Sequence, residues 1–592
     1  MEKQWRVLPD PVETDPSLAS LDGLLPLLSD SGAAPPPIAA RLLRQRGAHA
    51  PEAARSYLSP SWQEGIHDPG RFAQMSDATA RMFRALEAGE RVTVHGDYDA
   101  DGVTGSAVLL GAVAEVQRAM AAAGRPSSAP VDFYIPHRDA EGYGLHTRTV
   151  DTLRDRGTRL IVTVDCGIAC AIEIAKAKSF GIDAIVVDHH QFGDELPAAA
   201  LIHPRLPGET YPFPHLAAVG VAWKFAVALL AEGRARGLPI PEGWEKWLLD
   251  LVSIATVTDM VPLVGENRVL ERYGLTVLNK TRRPGLRALL EIAGIAPGAA
   301  TSRDVAFAIG PRLNAAGRMA HAELALRLLL ASDDAQAQVL AAELEGLNKD
   351  RQRTVAAMQK EAEKIADPSA PLIFFHSHEW SPALVGLVAG KWLDRTGRPS
   401  VAVGKHGDHW IGSGRSVAAY DITEAVKRAG DGLLTRAGGH VQACGFALDR
   451  DDAVREFGER LTADAKERLD LAKAVPTLDI DAELDPAEAD SRVAAFLETM
   501  EPFGEGNRRP VFAAFGLSLL SVDTMGATGK HVRLTVQSRA GRTGRLVGFN
   551  IADRFKEWRM GDHVDVAYDV SFNEWRGRKE PQCKIVDVRR PA

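Results

Sequence analysis

The sequence has few cysteines and lacks the segments that direct a protein to or across a membrane. Its four cysteines in 592 residues cannot form a disulfide framework. Cys166 and Cys170 also lack the partner ligands of a zinc site. The first residues, MEKQWRVLPDPVETD, have neither the basic nor the apolar region of a signal peptide. No apolar run is long enough to span a bilayer. We therefore expect a reducing, cytoplasmic location and no membrane contact.

The length of the chain exceeds what one hydrophobic core supports, so we expect several domains. The net charge of −8 does not by itself favour nucleic acid as a ligand. From Phe503 to the end, however, 16 basic residues face 10 acidic ones, which is a net +6 and leaves −14 for the rest. A basic terminal module on an acidic body suits a polyanion-binding domain beside a metal-binding one. Ordinary variation in surface charge would give the same counts.

Short β-rich runs alternate with helical segments in the first half of the chain. The runs are RVTVHGD, VDFYIP, RLIVTVD, DAIVVDHH and AALIHP. This alternation predicts a parallel sheet with helices on its faces. Ligands of such sheets bind just beyond the carboxyl ends of the strands. Because the first, third and fourth runs end in Asp or Asp-His-His, we expect a functional site there.

The remainder of the chain predicts two further folded regions and a helical link. Residues 320–365 are rich in Ala, Leu, Glu, Lys and Gln, which predicts helices that include a long connector. A second α/β segment begins at LIFFH, and short strands with polar turns after Pro476 predict a small β-barrel. The predicted fold class is α/β with a terminal barrel. Its segments are an N-terminal extension (1–40), a catalytic domain (41–319), a helical connector (320–370), a substrate-binding α/β domain (371–472) and a barrel (473–592).

Acidic residues and histidines gather at the ends of four apolar runs. Hard divalent cations take oxygen ligands, and imidazole shifts the preference toward transition metals, so the mixture suits Mn²⁺, with Mg²⁺ or Co²⁺ as substitutes. There are more carboxylates than one ion needs, and we expect a two-metal centre that hydrolyses a phosphoryl substrate. A single Asp here could be a helix cap and a single His structural, but four clusters in one region argue against both. The residues are His95, Asp97, Asp99, Asp101, Asp165, Asp188, His189, His190 and Asp259.

The order of the motifs resembles that of the DHH phosphoesterase superfamily. The motifs are GDYDADG, IPHRDAEGYGL, VDCG, VVDHH, TDMVPL, GPRLNAAGRM, GSGRS and GGHVQACGF, followed by PFGEGNRRPVF and NEWRGR. Within the superfamily the chain is similar to bacterial 5′ exonucleases specific for single strands, from about residue 35 onward. One departure is Trp380-Ser381, which stands where those proteins usually have Trp-His.

The resemblance implies a DHH-type domain, a helical connector, a DHH-associated domain and a C-terminal OB-fold. It also implies which residues bind two divalent cations: Asp99, Asp101, Asp165, His189 and Asp259, with His95 and Asp97 as a further ligand and its neighbour. His190 would lie near the scissile phosphate, so the expected catalytic residues are Asp165, His190 and Asp259. The implied activity is 5′→3′ hydrolysis of single-stranded DNA to 5′-mononucleotides in recombination and repair. We expect a monomer that works beside a helicase and a single-strand-binding protein.

Several loops carry groups suited to holding the strand. Arg138 in IPHR offers a planar fork that matches a terminal phosphate, or else it forms an ion pair with Asp139 or Glu141. The other candidates could equally be turns with solvated side chains, but taken together we favour phosphate recognition. Trp575 lies among basic residues and would either stack on bases or belong to a core. The candidates beyond Arg138 and Trp575 are Arg312, Asn314, Arg318, Ser413, Arg415, Ser416, Gly438, Gly439 and His440.

Two other functions are compatible with parts of the sequence. A DHH phosphodiesterase acting on short oligonucleotides or cyclic dinucleotides would share the catalytic motifs but is typically compact and lacks a terminal module. A non-catalytic DNA-binding scaffold would share the fold, but the presence of every carboxylate argues against it.

Overall fold

The structure is a computed structural model that describes residues 3–14, 35–470, 474–575 and 577–591, with the side chains of Thr14 and Trp575 outside the description. By their contacts the residues divide into two units. Gln63–Ala474 and Gly504–Gly506 form the first unit. The chain up to Trp62, Val475–Phe503 and the chain from Asn507 onward form the second. Within the described ranges, no helix has both the length and the apolar character needed to cross a bilayer.

The regular elements follow the predicted alternation closely. The strands of the described residues are β1 (Gln4–Val7), β2 (Arg91–Gly96), β3 (Val131–Tyr134), β4 (Thr158–Val164), β5 (Asp183–Val187), β6 (Ala200–Ile202), β7 (Ile373–Ser377), β8 (Ser400–His406), β9 (His409–Arg415), β10 (Leu434–His440), β11 (Ala443–Leu448), β12 (Thr477–Ile480), β13 (Ala482–Glu483), β14 (Phe512–Met525), β15 (His531–Gln537), β16 (Thr543–Gly548), β17 (His563–Trp575) and β18 (Arg578–Arg589). The helices are α1 (Pro11–Thr14), α2 (Ala39–Gln45), α3 (Pro51–Leu58), α4 (Trp62–Gly65), α5 (Met75–Ala88), α6 (Ala100–Ala122), α7 (Thr147–Asp155), α8 (Ala171–Ser179), α9 (Ala218–Ala235), α10 (Leu249–Thr258), α11 (Gly265–Leu278), α12 (Pro284–Ile292), α13 (Ser302–Asp304), α14 (Gly310–Met319), α15 (Glu323–Leu330), α16 (Asp334–Ile365), α17 (Pro382–Thr396), α18 (Ile422–Ala429), α19 (Asp451–Arg468) and α20 (Ser491–Thr499).

The first sheet of the first unit is parallel throughout, in the order β3-β2-β4-β5-β6. Its central strand β4 is buried along nearly its whole length, as expected for a sheet covered by helices on both faces. The predicted parallel α/β domain is therefore confirmed. Strands β2, β4 and β5 are neighbours in this sheet, so their carboxyl ends meet at one edge.

The turn between β2 and α6 depends on close backbone approach. Asp99 is the N-cap of α6, and its Oδ1 accepts hydrogen bonds from the backbone N–H groups of Asp101 and Gly102 at 2.9 and 3.2 Å. A Cβ atom on Gly102 would lie 2.4 Å from the backbone nitrogen of Asp97. Only glycine fits at this position, and this tight turn brings three aspartates together at the end of β2.

The second sheet of the first unit has the order β10-β11-β9-β8-β7. Strands β7 and β8 are parallel, and the remaining pairs are antiparallel. The long helix α16 begins after Asp333, whose side chain caps it by accepting from the N–H of Gln336 at 2.9 Å. Near its C-terminal end, Met358 and Ala362 pack in the same core as Leu384 and Val388 of α17. Helix α16 is thus the predicted connector, and residues near its C-terminal end are part of the core of the second α/β domain.

The second unit contains a closed five-stranded barrel in the order β14-β15-β16-β18-β17, in which β14 pairs with both β15 and β17. This confirms the predicted terminal β-barrel. Residues from α2 and α3, including Leu42, Leu43 and Ala54, share its hydrophobic core with Phe512 and Leu534. The sequence had suggested that residues 41–62 belong to the catalytic domain. Their apolar side chains instead pack in the second unit, a long-range preference that local patterns do not encode.

Candidate active site

The aspartates and histidines of the four clusters converge at the carboxyl edge of the parallel sheet. Asp97 follows β2, Asp165 follows β4, and Asp188-His189-His190 follow β5. Asp259 follows directly on the last residue of α10. Neighbouring parallel strands end at the same edge, which is where sheets of this type bind ligands.

Ligand atoms within this edge form three groups, in each of which they all lie within 4.8 Å of one another. One group is Asp97, Asp99 and Asp165, and another is Asp101, His189 and Asp259. The third joins Asp165 to His189 and His190. The Nε2 atom of His189 lies 3.4 Å from Asp165 and 3.6 Å from Asp259. Asp165 therefore belongs to the triad with Asp97 and Asp99 and also lies beside His189 of the triad with Asp101 and Asp259. A carboxylate shared by two cations would have this position.

Backbone groups hold the donor side chains in place. Both carboxylate oxygens of Asp101 accept hydrogen bonds, each at 2.8 Å, from the N–H groups of Ala218 and Val219 at the start of α9. The Nδ1 atom of His189 lies 3.1 Å from the carbonyl oxygen of Leu216. Donation from Nδ1 to that carbonyl leaves the lone pair of Nε2 facing the carboxylates, the arrangement usual for metal-bound histidine.

The residues present fit a pair of divalent cations. Asp97 Oδ1, Asp165 Oδ1 and His189 Nε2 are buried and have no hydrogen-bond partner in the described part of the chain. Buried polar atoms are normally paired, so three orphan acceptors that face one another indicate a missing cationic partner. Carboxylates with an imidazole suit Mn²⁺ or Mg²⁺.

Burial and mutual repulsion both raise the pKa values of these carboxyl groups. In Asp97 and Asp101, burial followed by repulsion from Asp99 raises the pKa, in Asp101 to about 7. Burial and the neighbouring aspartates likewise raise the pKa of Asp165 and of Asp259. These four carboxyl groups therefore bind protons readily when no cation is present, and a bound cation would displace the protons.

His190 is held in a different way from His189. Its Nδ1 lies 2.9 Å from Asp188 Oδ1 and 3.0 Å from the hydroxyl of Tyr143. Burial would raise the pKa of Asp188, but the hydrogen bond from His190 and three backbone N–H donors lower it to about 2. Burial lowers the pKa of His190, but the bond to Asp188 outweighs burial and raises it. Because Nδ1 is held by Asp188 and Tyr143, the Nε2–H of His190 is left as a candidate proton donor.

His95 lies outside the three groups that the described residues form. Its ring is buried and stacks on Tyr134 of β3 with centroids 5.6 Å apart, and its Nδ1 lies 3.5 Å from Cys166 Sγ. Burial lowers the pKa of His95 to about 4. Its Nε2 is buried and has no hydrogen-bond partner among the described residues, so His95 stays a candidate ligand, while Asp97 belongs to the first of the three groups.

Four arginines gather beside the carboxylates. Arg138 lies over the ring of Tyr98, 4.7 Å from its centroid. Arg318 donates to the carbonyl of Ala383 at 2.8 Å. Burial, then repulsion from Arg138 and Arg351, lowers the pKa of Arg318 to about 9. The four, Arg138, Arg318, Arg351 and Arg415, are half-buried and pair with no carboxylate in the described ranges. Like charges held together with no carboxylate in ion-pair contact indicate an anion site.

The motif GPRLNAAGRM mainly packs against the loop of residues 97–101, which carries Asp97, Asp99 and Asp101. Asn314 Oδ1 accepts a hydrogen bond from the N–H of Ala100 at 2.8 Å, and a Cβ on Gly317 would lie 2.6 Å from the carbonyl oxygen of Tyr98. Arg312 forms an ion pair with Glu345 of α16 at 2.7 Å. Asn314 therefore holds the loop that carries the aspartates, and Arg312 is paired with α16. Of the three candidate residues in this motif, only Arg318 joins the arginine cluster.

The DHH-associated domain contributes residues from β9 and β10. Arg415 donates to the hydroxyl of Ser413 at 2.8 Å, and both lie close to the backbone of Gly386. Gly438, Gly439 and His440 lie on β10, at the edge of the second sheet, and all three residues are exposed. The hydroxyl of Ser416 donates to the carbonyl of Tyr420 at 2.7 Å. Ser381 is the N-cap residue of α17.

In the barrel, the predicted contact Trp575 lies outside the described side chains. The described residues show another basic and aromatic surface on β15 and β16. Arg533 faces Val547 across the two strands, and Thr535 faces Arg545. The ring of His531 contacts that of Phe549, which is 50% exposed, with centroids 5.4 Å apart. Sequence inspection missed this surface because its members are spread over two strands.

The fold and the carboxylate–histidine centre define a metal-binding phosphoesterase of the DHH class. Family models agree: residues 91–256 match the DHH family N-terminal domain, 369–467 the DHHA1 domain and 480–587 the RecJ OB domain. The single-stranded-DNA-specific exonuclease RecJ of Bacillus subtilis is 36% identical over 93% of this chain and 68% of its own length. RecJ of Escherichia coli is 34% identical over 93% of this chain and 96% of its own. The chain belongs to the RecJ family.

Solved structures give the same result. The crystal structure of RecJ in complex with Mn²⁺ from Thermus thermophilus matches with a TM-score of 0.81 and 31% identity, over 100% of this chain and 80% of that one. The Mg²⁺ complex from the same organism matches with a TM-score of 0.75 and 30% identity, over 100% of this chain and 79% of that one. Both metals that suit the site by its donor set are thus present in relatives.

Proposed function

We propose that this chain is a metal-dependent exonuclease that degrades single-stranded DNA from its 5′ end and releases 5′-mononucleotides, in DNA recombination and repair. The observation that carries the proposal is that two oppositely charged sites lie next to each other. A carboxylate–histidine centre suited to divalent cations lies beside four arginines without carboxylate partners. Nucleic-acid backbones carry the anions that such arginines bind, and the named relatives act on single-stranded DNA.

The catalytic centre would hold two cations through separate triads. Asp97, Asp99 and Asp165 would hold one, and Asp101, His189 and Asp259 the other, with Asp165 shared. Divalent cations bound there supply a nucleophile from water at neutral pH and neutralise charge on the phosphoryl group.

The residues of the chain would supply orientation and proton transfer. His190, oriented by Asp188, would direct Nε2–H at the scissile phosphate or its leaving oxygen. Asp101 accepts two buried backbone hydrogen bonds, and His189 donates one to a backbone carbonyl. These bonds would keep the metal-binding atoms from reorganising during the reaction.

The polarity of degradation is proposed from the arginine cluster. Arg318 lies close enough to Asp99 for their charges to interact, and Arg138 stacks on Tyr98 between two metal-binding candidates. A terminal phosphate held by Arg138, Arg318, Arg415 and the hydroxyl of Ser413 would place the next phosphate along the strand at the carboxylates. Of the other predicted contacts, Gly438, Gly439, His440 and Ser416 stay candidates for the strand's backbone.

The barrel would hold the part of the strand farther from the 5′ end. Arg533 and Arg545 form no ion pair within the described residues, and Phe549 offers an exposed ring on which a base can stack. We further propose that the enzyme is a monomer and acts on strands that a helicase exposes and a single-strand-binding protein covers.

The proposal is tested with strands labelled at either end, in Mn²⁺ or in EDTA. A label at the 5′ end should appear first as a mononucleotide, a label at the 3′ end should remain on shortening strands, and EDTA should stop both. Products that shorten from the 3′ end, or cleavage restricted to dinucleotides, would overturn it.

A second measurement tests the 5′-phosphate pocket. The wild-type protein should prefer a 5′-phosphorylated strand over a 5′-hydroxyl strand by about tenfold or more, since a charge-assisted hydrogen bond is worth roughly 1.5–3 kcal/mol. Arg138→Ala and Arg318→Ala should each shrink that preference, and Arg138→Lys should restore only part of it. Arg395→Ala, which removes an exposed ion pair with Glu363, is the matched control. If either cluster variant slows both substrates equally, that arginine does not read the strand's end.

A further inference from the structure

We propose that Tyr143 is a positioning residue whose hydroxyl couples the shared carboxylate residue Asp165 to His190. This inference rests on the proposed function and names a residue in that site. Neither Tyr143 nor its hydrogen bonds follow from the motif pattern, in which the tyrosine is one letter of IPHRDAEGYGL.

The geometry around the hydroxyl is that of a bridge. It donates to the backbone carbonyl of Asp165 at 3.0 Å, and it lies 3.0 Å from Nδ1 of His190. The two rings meet edge to face, with centroids 5.3 Å apart and an interplanar angle of 61°. The hydroxyl gives its proton to the carbonyl, so it accepts from the Nδ1–H of His190, which is shared between Tyr143 and Asp188 Oδ1.

The loop that carries Tyr143 is anchored independently of the metal centre. The carboxylate of Glu141 accepts from the hydroxyl of Tyr134 at 2.7 Å and from the backbone N–H of His137 at 2.7 Å. It also accepts from the hydroxyl of Thr149 at 3.2 Å. Gly142 and Gly144, on either side of Tyr143, have φ of 85° and 94°, a conformation that glycine adopts without cost. The loop is therefore built to present one side chain at a defined place.

Both partners of the hydroxyl need support. Asp165 has a backbone φ of 63°, which a non-glycine residue adopts only when its surroundings hold it there. The hydroxyl of Tyr143 binds the carbonyl of this residue, and the N–H of Asp165 donates to Val187 at 3.0 Å. His190 keeps Asp188 as its main partner, but a single contact at Nδ1 leaves the ring free to tilt. The tyrosine oxygen supplies a second acceptor for the same N–H.

The bridge matters most for the proton that the leaving oxygen needs. In the proposed reaction a water oxygen forms a bond to phosphorus, and the bond from phosphorus to the 3′ oxygen of the terminal nucleotide breaks. The electron pair of that bond stays on the 3′ oxygen, which takes the proton from Nε2 of His190, while the incoming water loses a proton to solvent. An imidazole that tilts delivers this proton poorly.

The test compares Tyr143→Phe with wild type on two strands that differ at one atom. One strand carries the ordinary first linkage, and the other carries sulfur in place of the bridging 3′ oxygen. A thiolate leaves without protonation, so the sulfur strand does not need the proton from His190. We expect Tyr143→Phe to lower kcat on the oxygen strand by about tenfold or more, with KM changed less than about twofold, and to leave the sulfur strand nearly unaffected. Because the result is a ratio within one protein preparation, partial misfolding cancels.

Two controls make the result specific. Tyr568→Phe removes a hydroxyl that donates to the carbonyl of Leu484 at 2.6 Å in the barrel, and it should not change the ratio. Mn²⁺ affinity measured by calorimetry should change little between wild type and Tyr143→Phe, since the N–H of Asp165 keeps its bond to Val187 and the hydroxyl contacts no carboxylate oxygen of the triads. Equal loss on both strands, or weakened Mn²⁺ binding, would overturn the positioning role. A wild-type protein inactive on both strands would overturn the proposed function and this assignment with it.

Discussion

Replacing Asp165 by asparagine should stabilise the metal-free protein while removing most of the protection that Mn²⁺ gives. Asp165 is 2% exposed, and its Oδ1 has no hydrogen-bond partner among the described residues. Its backbone φ of 63° is one that asparagine adopts more readily than other non-glycine residues. Asparagine therefore removes the charge with little other change, whereas alanine would add backbone strain.

The magnitude follows from the spacing of the carboxylates. The ligand oxygens of Asp165, Asp97 and Asp99 lie within 4.8 Å of one another. Two ionised carboxylates at such a distance repel by roughly 3–4 kcal/mol at an effective dielectric constant of about 20. Proton uptake relieves part of this, so we expect the free energy of unfolding to rise by about 2–3 kcal/mol at pH 8, a gain in Tm of roughly 2–5 °C.

The effect should depend on pH in a defined direction. Burial and the surrounding aspartates raise the folded-state pKa of Asp165 above its unfolded value. Such a group favours the folded state at acid pH, and that contribution is lost as pH rises through the folded pKa. In EDTA, wild type and Asp165→Asn should therefore be similar near pH 5, and the variant should become the more stable protein toward pH 8.

Thermal denaturation in EDTA and in Mn²⁺ measures both halves of the prediction. At a hundred times its Kd, each bound Mn²⁺ should stabilise the wild type by about 2.7 kcal/mol, and Mn²⁺ should stabilise the variant far less. The matched control is Asp188→Asn. Hydrogen bonds lower the pKa of Asp188 to about 2, so its replacement should cost about 2 kcal/mol in EDTA near pH 5. The cost should shrink toward pH 8, because His190, whose pKa Asp188 raises, then loses its proton. The reasoning is refuted if Asp165→Asn lowers Tm in EDTA at pH 8, or if Mn²⁺ protects it as well as wild type.

Three further predictions concern other parts of the chain. Arg533→Ala and Arg545→Ala should each reduce the slope of log affinity against log salt for long single strands by about 0.7, measured by fluorescence anisotropy. Unchanged slopes would show that this surface does not bind the strand. Burial raises the pKa of Glu271 to about 8, so stability should fall as pH rises through that value; Glu271→Gln should flatten the fall in urea titrations at pH 6 and 9, and parallel curves would contradict the assignment. Arg312→Ala leaves Glu345 with only the exposed Lys349 as an ion-pair partner, at 3.4 Å, and should lower stability by about 1–3 kcal/mol without altering the 5′-phosphate preference. A lost preference would show that Arg312 contacts the substrate.

Local patterns were enough to predict the elements and their class. The runs RVTVHGD, RLIVTVD and DAIVVDHH became β2, β4 and β5 because strands buried on both faces need continuous apolar residues. The parallel order then follows from the helices between them, and the ends of neighbouring strands must meet. The convergence of Asp97, Asp165 and Asp188-His189-His190 on one edge is a consequence of that topology.

The order of residues in the sequence could not show which residues of the site contact one another. Asp99 and Asp101 are two residues apart, yet they belong to different triads, because the first residues of α6 turn one toward β4 and the other toward the start of α9. Arg312 and Arg318 lie in one motif, yet one pairs with Glu345 and the other joins the arginine cluster. In each case the outcome depends on which remote element lies within a few ångströms.

The sequence by itself therefore determined the succession of strands and helices, the domain class and the chemistry available at the sheet edge, since all three depend on periodicity and residue type. The tertiary structure alone decided the pairing of carboxylates, the contribution of Arg351, the bridge made by Tyr143 and the packing of α2 and α3 in the barrel's core. These depend on contacts between residues far apart in the chain. Such contacts form because burying apolar surface and satisfying buried polar atoms are properties of the whole fold.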